Sequence, residues 1–375
     1  MNTQLSAAAG TTVRARTRVA VTSALIAAIL LLIPVTLLRA GDDDSAFLPD
    51  QARSASTIPA NGDVNPYGVA FVPANFPGGG AASPGNILVS NFNDSGNLQG
   101  TGTTIVDIPQ GGPVQPFFQG DAGLGLTTAL NILQRGFVLV GNFPSPDGTC
   151  PNATPGSVLV IDKSGNLAST ISNSLIAGPW DSALFDQGTS AKYFVANGLT
   201  GTVVRLNLTV SGSGVAVQSI TKIASGYAHA CDPVTFVDAP TGLVYDPQRD
   251  VLFVASTLDN KVFAVGHAAE TNQDHGRGMV VYSDNLHLHG PLGMIQTPND
   301  HLVVSNNDAV NSDPTQPSEL VEFTKGGKFV KEISVDPVQG GSFGLAAITS
   351  GQTAQLAAVD DDQNVLLIWT FHLPR

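Results

Sequence analysis

Short apolar runs recur along the chain between clusters of glycine, proline, asparagine and aspartate. Six of them end in a polar residue: ILVSN (87 to 91), FVLVGN (137 to 142), YFVANG (193 to 198), LFVAST (252 to 257), LVVSNN (302 to 307) and LAAVD (356 to 360). Apolar runs of four to six residues that are rich in β-branched types and bounded by turn residues predict strands. A second run follows each, as in TTIVDI, SVLVID, TVVRLN, KVFAV, ELVEF and VLLIW. In most copies a glycine-bearing turn, such as Gly111-Gly112, Gly165 or Gly326-Gly327, then leads to an outer run.

Ahead of each pair stands a shorter motif, a small residue or proline, a spacer and a glycine before apolar positions. It appears as Pro66-Tyr67-Gly68-Val69, Pro240-Thr241-Gly242-Leu243, Pro291-Leu292-Gly293-Met294 and Ser342-Phe343-Gly344-Leu345. Weaker copies stand at Leu126-Thr127-Thr128-Ala129-Leu130 and Pro179-Trp180-Asp181-Ser182. Four strands per unit, repeated six times, predict an all-β fold, a six-bladed β-propeller over residues 53 to 375. The last unit ends too soon for a fourth strand, and Arg53 to Ile58 precedes the first motif without a partner. That stretch is therefore expected to supply the missing outer strand and close the ring. An open β-solenoid is the competing arrangement; unequal units and the unfinished last one argue against it.

Val19 to Leu38 is twenty residues without a charge, long enough to cross a hydrocarbon core as a helix. Arg14, Arg16 and Arg18 precede it and Asp42-Asp43-Asp44 follow, so residues 1–18 are expected in the cytoplasm and the rest outside. The segment reads equally as an uncleaved anchor and as a signal removed on export, because Leu38-Arg39-Ala40 offers a peptidase only one small residue. Residues 39–52 read as a polar tether. The protein is thus expected to face the periplasm or exterior, membrane-anchored or secreted, as a monomeric propeller.

Charged residues are only 13% of the chain, and glycine and proline number 40 and 24, which excludes coiled coils and long bundles. Beyond residue 40, thirteen Lys or Arg stand against thirty Asp or Glu, and a body so acidic repels phosphate backbones. Nucleic acid is therefore not an expected partner.

The stretch from Pro240 to Ser256, PTGLVYDPQRDVLFVAS, resembles the NHL-repeat and gluconolactonase-like (SMP-30-type) six-bladed propellers. The resemblance implies the fold; such propellers include lactonases, other hydrolases and pure binding modules. Calcium-dependent members hold the metal with Glu, Asn and Asp just before the glycine of the inner strand. The matching positions here are Tyr67, Thr127 or Thr128, Trp180, Thr241, Leu292 and Phe343, which offer no carboxylate or amide. No cofactor is therefore expected, and Tyr67, Trp180 and Phe343 are read either as the aromatic lining of a tunnel mouth or as a plug along the axis.

Strand reversal places the ends of the second strands on the same face. Asn91, Asn142, Asn197, Asn306 and Asp360 form a candidate polar ring there, unless each caps its own turn. Cys150 and Cys231 fall in long connections on that face and can bridge in an oxidising compartment. If they do not, His229, His287 and His289, perhaps with Cys231, are a candidate zinc or copper site, the alternative being ordinary surface histidines. Nucleophile elbows and His-Glu-x-x-His are missing. The sequence thus predicts an extracytoplasmic module binding a small molecule, glycan or protein at its long-loop face through residues that include Tyr67, Trp180, Phe343, His229 and His289. A lactonase- or esterase-like hydrolase and a structural interaction hub are the alternatives.

Overall fold

The computed structural model describes residues 46–48 and 52–373. The apolar segment 19–38 lies outside the described residues; among those described, no helix is long and apolar enough to cross a membrane. Six four-stranded antiparallel sheets account for the repeats. Their innermost strands are Val64–Phe71, Leu126–Leu133, Pro179–Asp186, Pro240–Asp246, Pro291–Gln296 and Ser342–Ser350. Each packs on the next and the last packs on the first, so the sheets are the blades of a closed ring.

The second strands are apolar through most of their length because each blade is covered on both faces by its neighbours. Phe137–Asn142 and Ile87–Asn93 are buried at every position. Outer strands lose that cover, and four of the five residues of Leu167–Ile171 are exposed.

The inner motif has a packing reason. Every inner strand carries a register shift against its second strand at the motif, a bulge that turns the backbone toward the adjacent blade. At these points the glycines meet the next blade: a Cβ on Gly242 would strike Leu292 O, one on Gly293 Phe343 O, and one on Gly344 Tyr67 O. Only glycine permits so close an approach.

Arg53–Ser56 is the outer strand of the last blade, paired antiparallel with Val365–His372 so that Arg53 faces Ile368 and Ser56 faces Val365. Thr57 extends the closure, its Oγ1 donating to Asn364 O at 2.9 Å. Part of the expected polar tether is packed instead. Phe47 and Leu48 are buried, their N–H groups donating to the Glu322 carboxylate at 2.7 and 3.1 Å, and Phe47 meets the Phe371 ring edge-on at 4.3 Å.

Candidate functional site

At the long-loop end of the axis the structure places a solid aromatic cluster. Tyr67 stacks between Phe92 and Phe343 at centroid distances of 4.7 and 4.2 Å, and Trp180 stands edge-on to Tyr67 and Phe92 at 5.6 and 5.3 Å. Tyr67 and Trp180 are each 1% exposed and Phe343 5%. These side chains fill the axis, where the bulges bring the inner-strand motifs together, and Tyr67 and Phe343 also face the cleft above it. Leu292 joins the same apolar cluster.

The plug has a member that the repeat does not supply. Between the third and fourth blades, Ala230–Asp232 pairs with Phe236–Asp238 as a small hairpin over the axis. Phe236 turns inward with φ 68, stacking near-parallel on Trp180 at 6.0 Å and edge-on to Phe92 and Phe143. A non-glycine residue there holds about 1–3 kcal/mol of backbone strain, offset by the buried ring. Cys231 in this hairpin is bonded to Cys150 in the short turn Cys150–Asn152 of the second blade, which fixes the cap to the ring.

That bond removes Cys231 from any metal site. His229 is exposed, with its Nδ1 3.1 Å from the Tyr227 carbonyl. His287 stacks on Phe329 at 3.7 Å and pairs with Glu332 at 2.8 Å. His289 is 5% exposed, its Nδ1 2.5 Å from Asn311 O and its Nε2 3.9 Å from Glu319. Among the described residues no three His, Cys, Asp or Glu side chains are grouped to hold a metal ion.

The asparagines of the ring bond the chain that enters each blade, while Asn91 Oδ1 and Asn306 Oδ1 are buried without a partner among the described residues. Asn142 Oδ1 accepts the Gly125 N–H and Asn197 Oδ1 the Ala177 N–H, each at 2.9 Å, from the chain entering the same blade. Asn91 Nδ2 donates to Thr57 O at 3.2 Å and Asn306 Nδ2 to His287 O at 2.8 Å, doing the same for theirs. Such connections carry backbone groups with no strand partner, and an amide at the strand end satisfies them. Asn306 also donates to Glu319 at 3.1 Å, and burial raises that carboxyl to about 7. Asp360, 3% exposed, accepts the Gln363 N–H at 3.0 Å; burial first, then the charge of Asp336, raises it to about 7.

Above the plug the same face opens into a cleft of about 480 Å³. Its floor is formed by Tyr67 and Phe343, and its walls carry Asp232, Asp238, Asp308, Asp361 and Asp362, with no Lys, Arg or His among the lining residues. Burial lifts Asp238 and Asp308 above the ordinary carboxylate range, and lifts Asp361 well above it with help from the charges of Asp362 and Asp360. Asp308 Oδ1 and Asp361 Oδ1 are buried without a hydrogen-bond partner. Asp232 is held low by the Thr235 N–H. These acids escape a sequence reading of the site because they come from three separate connections, which no spacing rule joins. The available signals were the acid excess and the run Asp360-Asp361-Asp362, which reads on its own as a solvated turn.

No protein-family model matches the chain, and no curated protein sequence matches it. Solved structures do. One assigned as a gluconolactonase aligns at TM-score 0.51 and 12% identity, over 88% of this chain and 96% of its own. A glucose dehydrogenase-type oxidoreductase, so assigned, from Thermus thermophilus aligns at 0.50 and 12%, over 85% and 100%. The calcium-binding regucalcin of Agrobacterium tumefaciens aligns at 0.50 and 12%, over 84% and 92%. At such identity the likeness shows the fold. Calcium needs several converging oxygen ligands, whereas the axial positions here are the buried rings of the plug, Leu292 and threonines, of which Thr127 and Thr241 donate to Pro179 O and Leu292 O. The residues at these axial positions do not fit that metal. The chain is a six-bladed β-propeller with the fold of the gluconolactonase- and regucalcin-like proteins.

Proposed function

We propose that the protein is an exported binding module that takes a cationic ligand, a polyamine or a lysine-rich peptide segment, in the acidic cleft of its long-loop face. The observation that carries this reading is the cleft itself, with five carboxylates over an aromatic floor and no basic side chain in its lining. A cation gains from the carboxylates and from any ring face within reach, and its arrival relieves the repulsion among the acids. The plug supports binding over chemistry, since it fills the axial positions where a propeller hydrolase would need converging titratable groups. Export is supported by the apolar run at 19–38 behind three arginines and by the Cys150–Cys231 bond, which persists in oxidising compartments. The segment 19–38 then either anchors the protein to the membrane or is removed.

Calorimetric titration of the purified protein with spermidine tests the proposal. Binding that weakens with salt and falls by about tenfold in the Asp238→Asn/Asp362→Asn variant is expected. No binding at low ionic strength, or equal binding by a folded variant, overturns it. Turnover of a lactone or ester by the purified protein favours the hydrolase instead.

A further inference from the structure

At the opposite, short-loop end the axis is open. A cavity of about 470 Å³ runs up from that end to the underside of the plug, lined by the inner strands of all six blades. Each inner strand is bonded on one side only, so its free backbone edge faces this cavity. Apolar side chains such as Leu130, Leu243 and Met294 fill the spaces between these edges.

One side chain breaks the pattern. Counting back from the pairs Val69–Val89, Leu243–Val254, Met294–Val304 and Leu345–Ala358, the preceding residue is the motif glycine. In the third blade Ser182 pairs with Val195, and the residue before it is Asp181. A carboxylate therefore stands where four other blades have no side chain at all. It lines the cavity, is 8% exposed, and among the described residues accepts one hydrogen bond, from the adjacent Ser182 N–H at 2.6 Å. Burial raises its pKa well above the ordinary range. Thr128 Oγ1, on a lining residue of the neighbouring blade, is buried without a partner. No Lys, Arg or His lines the cavity. The ring needs no acid here, and an under-bonded buried carboxylate destabilises it unless something pairs with it.

We propose that the short-loop mouth of the channel is a second binding site, for a small primary ammonium ion with an apolar body, whose charge pairs with Asp181. The ammonium supplies donors to the carboxylate and to Thr128, while the apolar body lies against Leu130, Leu243 and Met294. A volume of about 470 Å³ suits a compact molecule of this kind. The site is independent of the long-loop cleft, from which the plug separates it.

Benzylamine and its neutral counterpart benzyl alcohol are the probes, with binding followed by ligand-observed NMR and calorimetry. Wild type is expected to bind the amine at least about tenfold more tightly than the alcohol, and the near-isosteric Asp181→Asn variant to lose that preference. The Asp238→Asn/Asp362→Asn variant is expected to keep it, so failure of the cleft reading and failure of this one are distinguishable. Equal affinity for amine and alcohol, an unchanged preference in Asp181→Asn, or no binding tighter than about 10 mM overturns the proposal. Should Asp181→Asn not fold, Leu243→Phe, which narrows the same cavity, must weaken the amine while leaving spermidine binding intact. Unweakened amine binding in that variant equally overturns it.

Discussion

Removing the bond between Cys150 and Cys231 should loosen the cap over the axis and destabilise the whole ring. The bridge closes a loop of sequence separation 81, and constraint of the unfolded chain by a loop of that length is worth about 4.5 kcal/mol. Loss of the bond also frees the hairpin that holds Phe236 in a strained backbone conformation, so the ring of Phe236 can leave Trp180. Two measurements follow on the Cys150→Ser/Cys231→Ser variant, built on a Trp369→Phe background so that Trp180 is the sole indole. Urea unfolding should show stability reduced by about 3–5 kcal/mol. Trp180 emission under native conditions should shift to the red and become accessible to acrylamide as the plug opens. A variant within about 1 kcal/mol of its parent, with Trp180 emission unchanged, would refute the idea that the bridge holds the cap in place.

The closeness of the blades at the motif glycines gives a second expectation. Gly344→Ala, which drives a Cβ into Tyr67 O where the last blade meets the first, should cost several kcal/mol or prevent folding, whereas Gly212→Ala, facing open space in a surface turn, should leave the melting temperature within about 2 °C. A third concerns pH. Glu319 and Asp360 are both raised to about 7 in the folded state, so each favours the protonated native form. Their contribution is fully present below about pH 4 and lost as pH rises through 7, so a thermal melt at pH 8 should lie below one at pH 5.5, and Asp360→Asn should narrow that gap.

Most of the architecture was legible because strands write themselves in a period that survives packing. The sandwiching of each blade makes Phe137–Val140 an unbroken apolar run, and the unfinished last unit pointed to Arg53–Ser56 as its missing edge. The hairpin at Ala230–Asp238 left no such trace. Its strands are three residues long, and its shape depends on a bond to a residue 81 positions away. Phe47 and Leu48 were invisible for a similar reason: two apolar residues in a polar stretch have no period, and the Glu322 carboxylate that receives their N–H groups lies some 275 residues further on. Strand reversal puts the asparagines at equivalent strand ends, but which groups their amides satisfy depends on where the incoming chain runs. Asp181 was legible as a departure from its own repeat, although its place in a cavity was not.

The closing sheet also sets an order of events during synthesis. The first strand of the ring to leave the ribosome, Arg53–Ser56, has no partner until the last strand arrives, and the Thr57–Asn364 bond spans 307 residues. Five blades can form their own hairpins as they emerge, because their pairings are local. The sixth cannot. Until then the nascent chain holds an open arc with a bare edge at each end, a form suited to pairing with another arc of the same kind. The nascent chain is therefore most exposed to aggregation in the interval before Val365–His372 is free to pair, and a truncation after Asn364 should yield the arc in place of the ring.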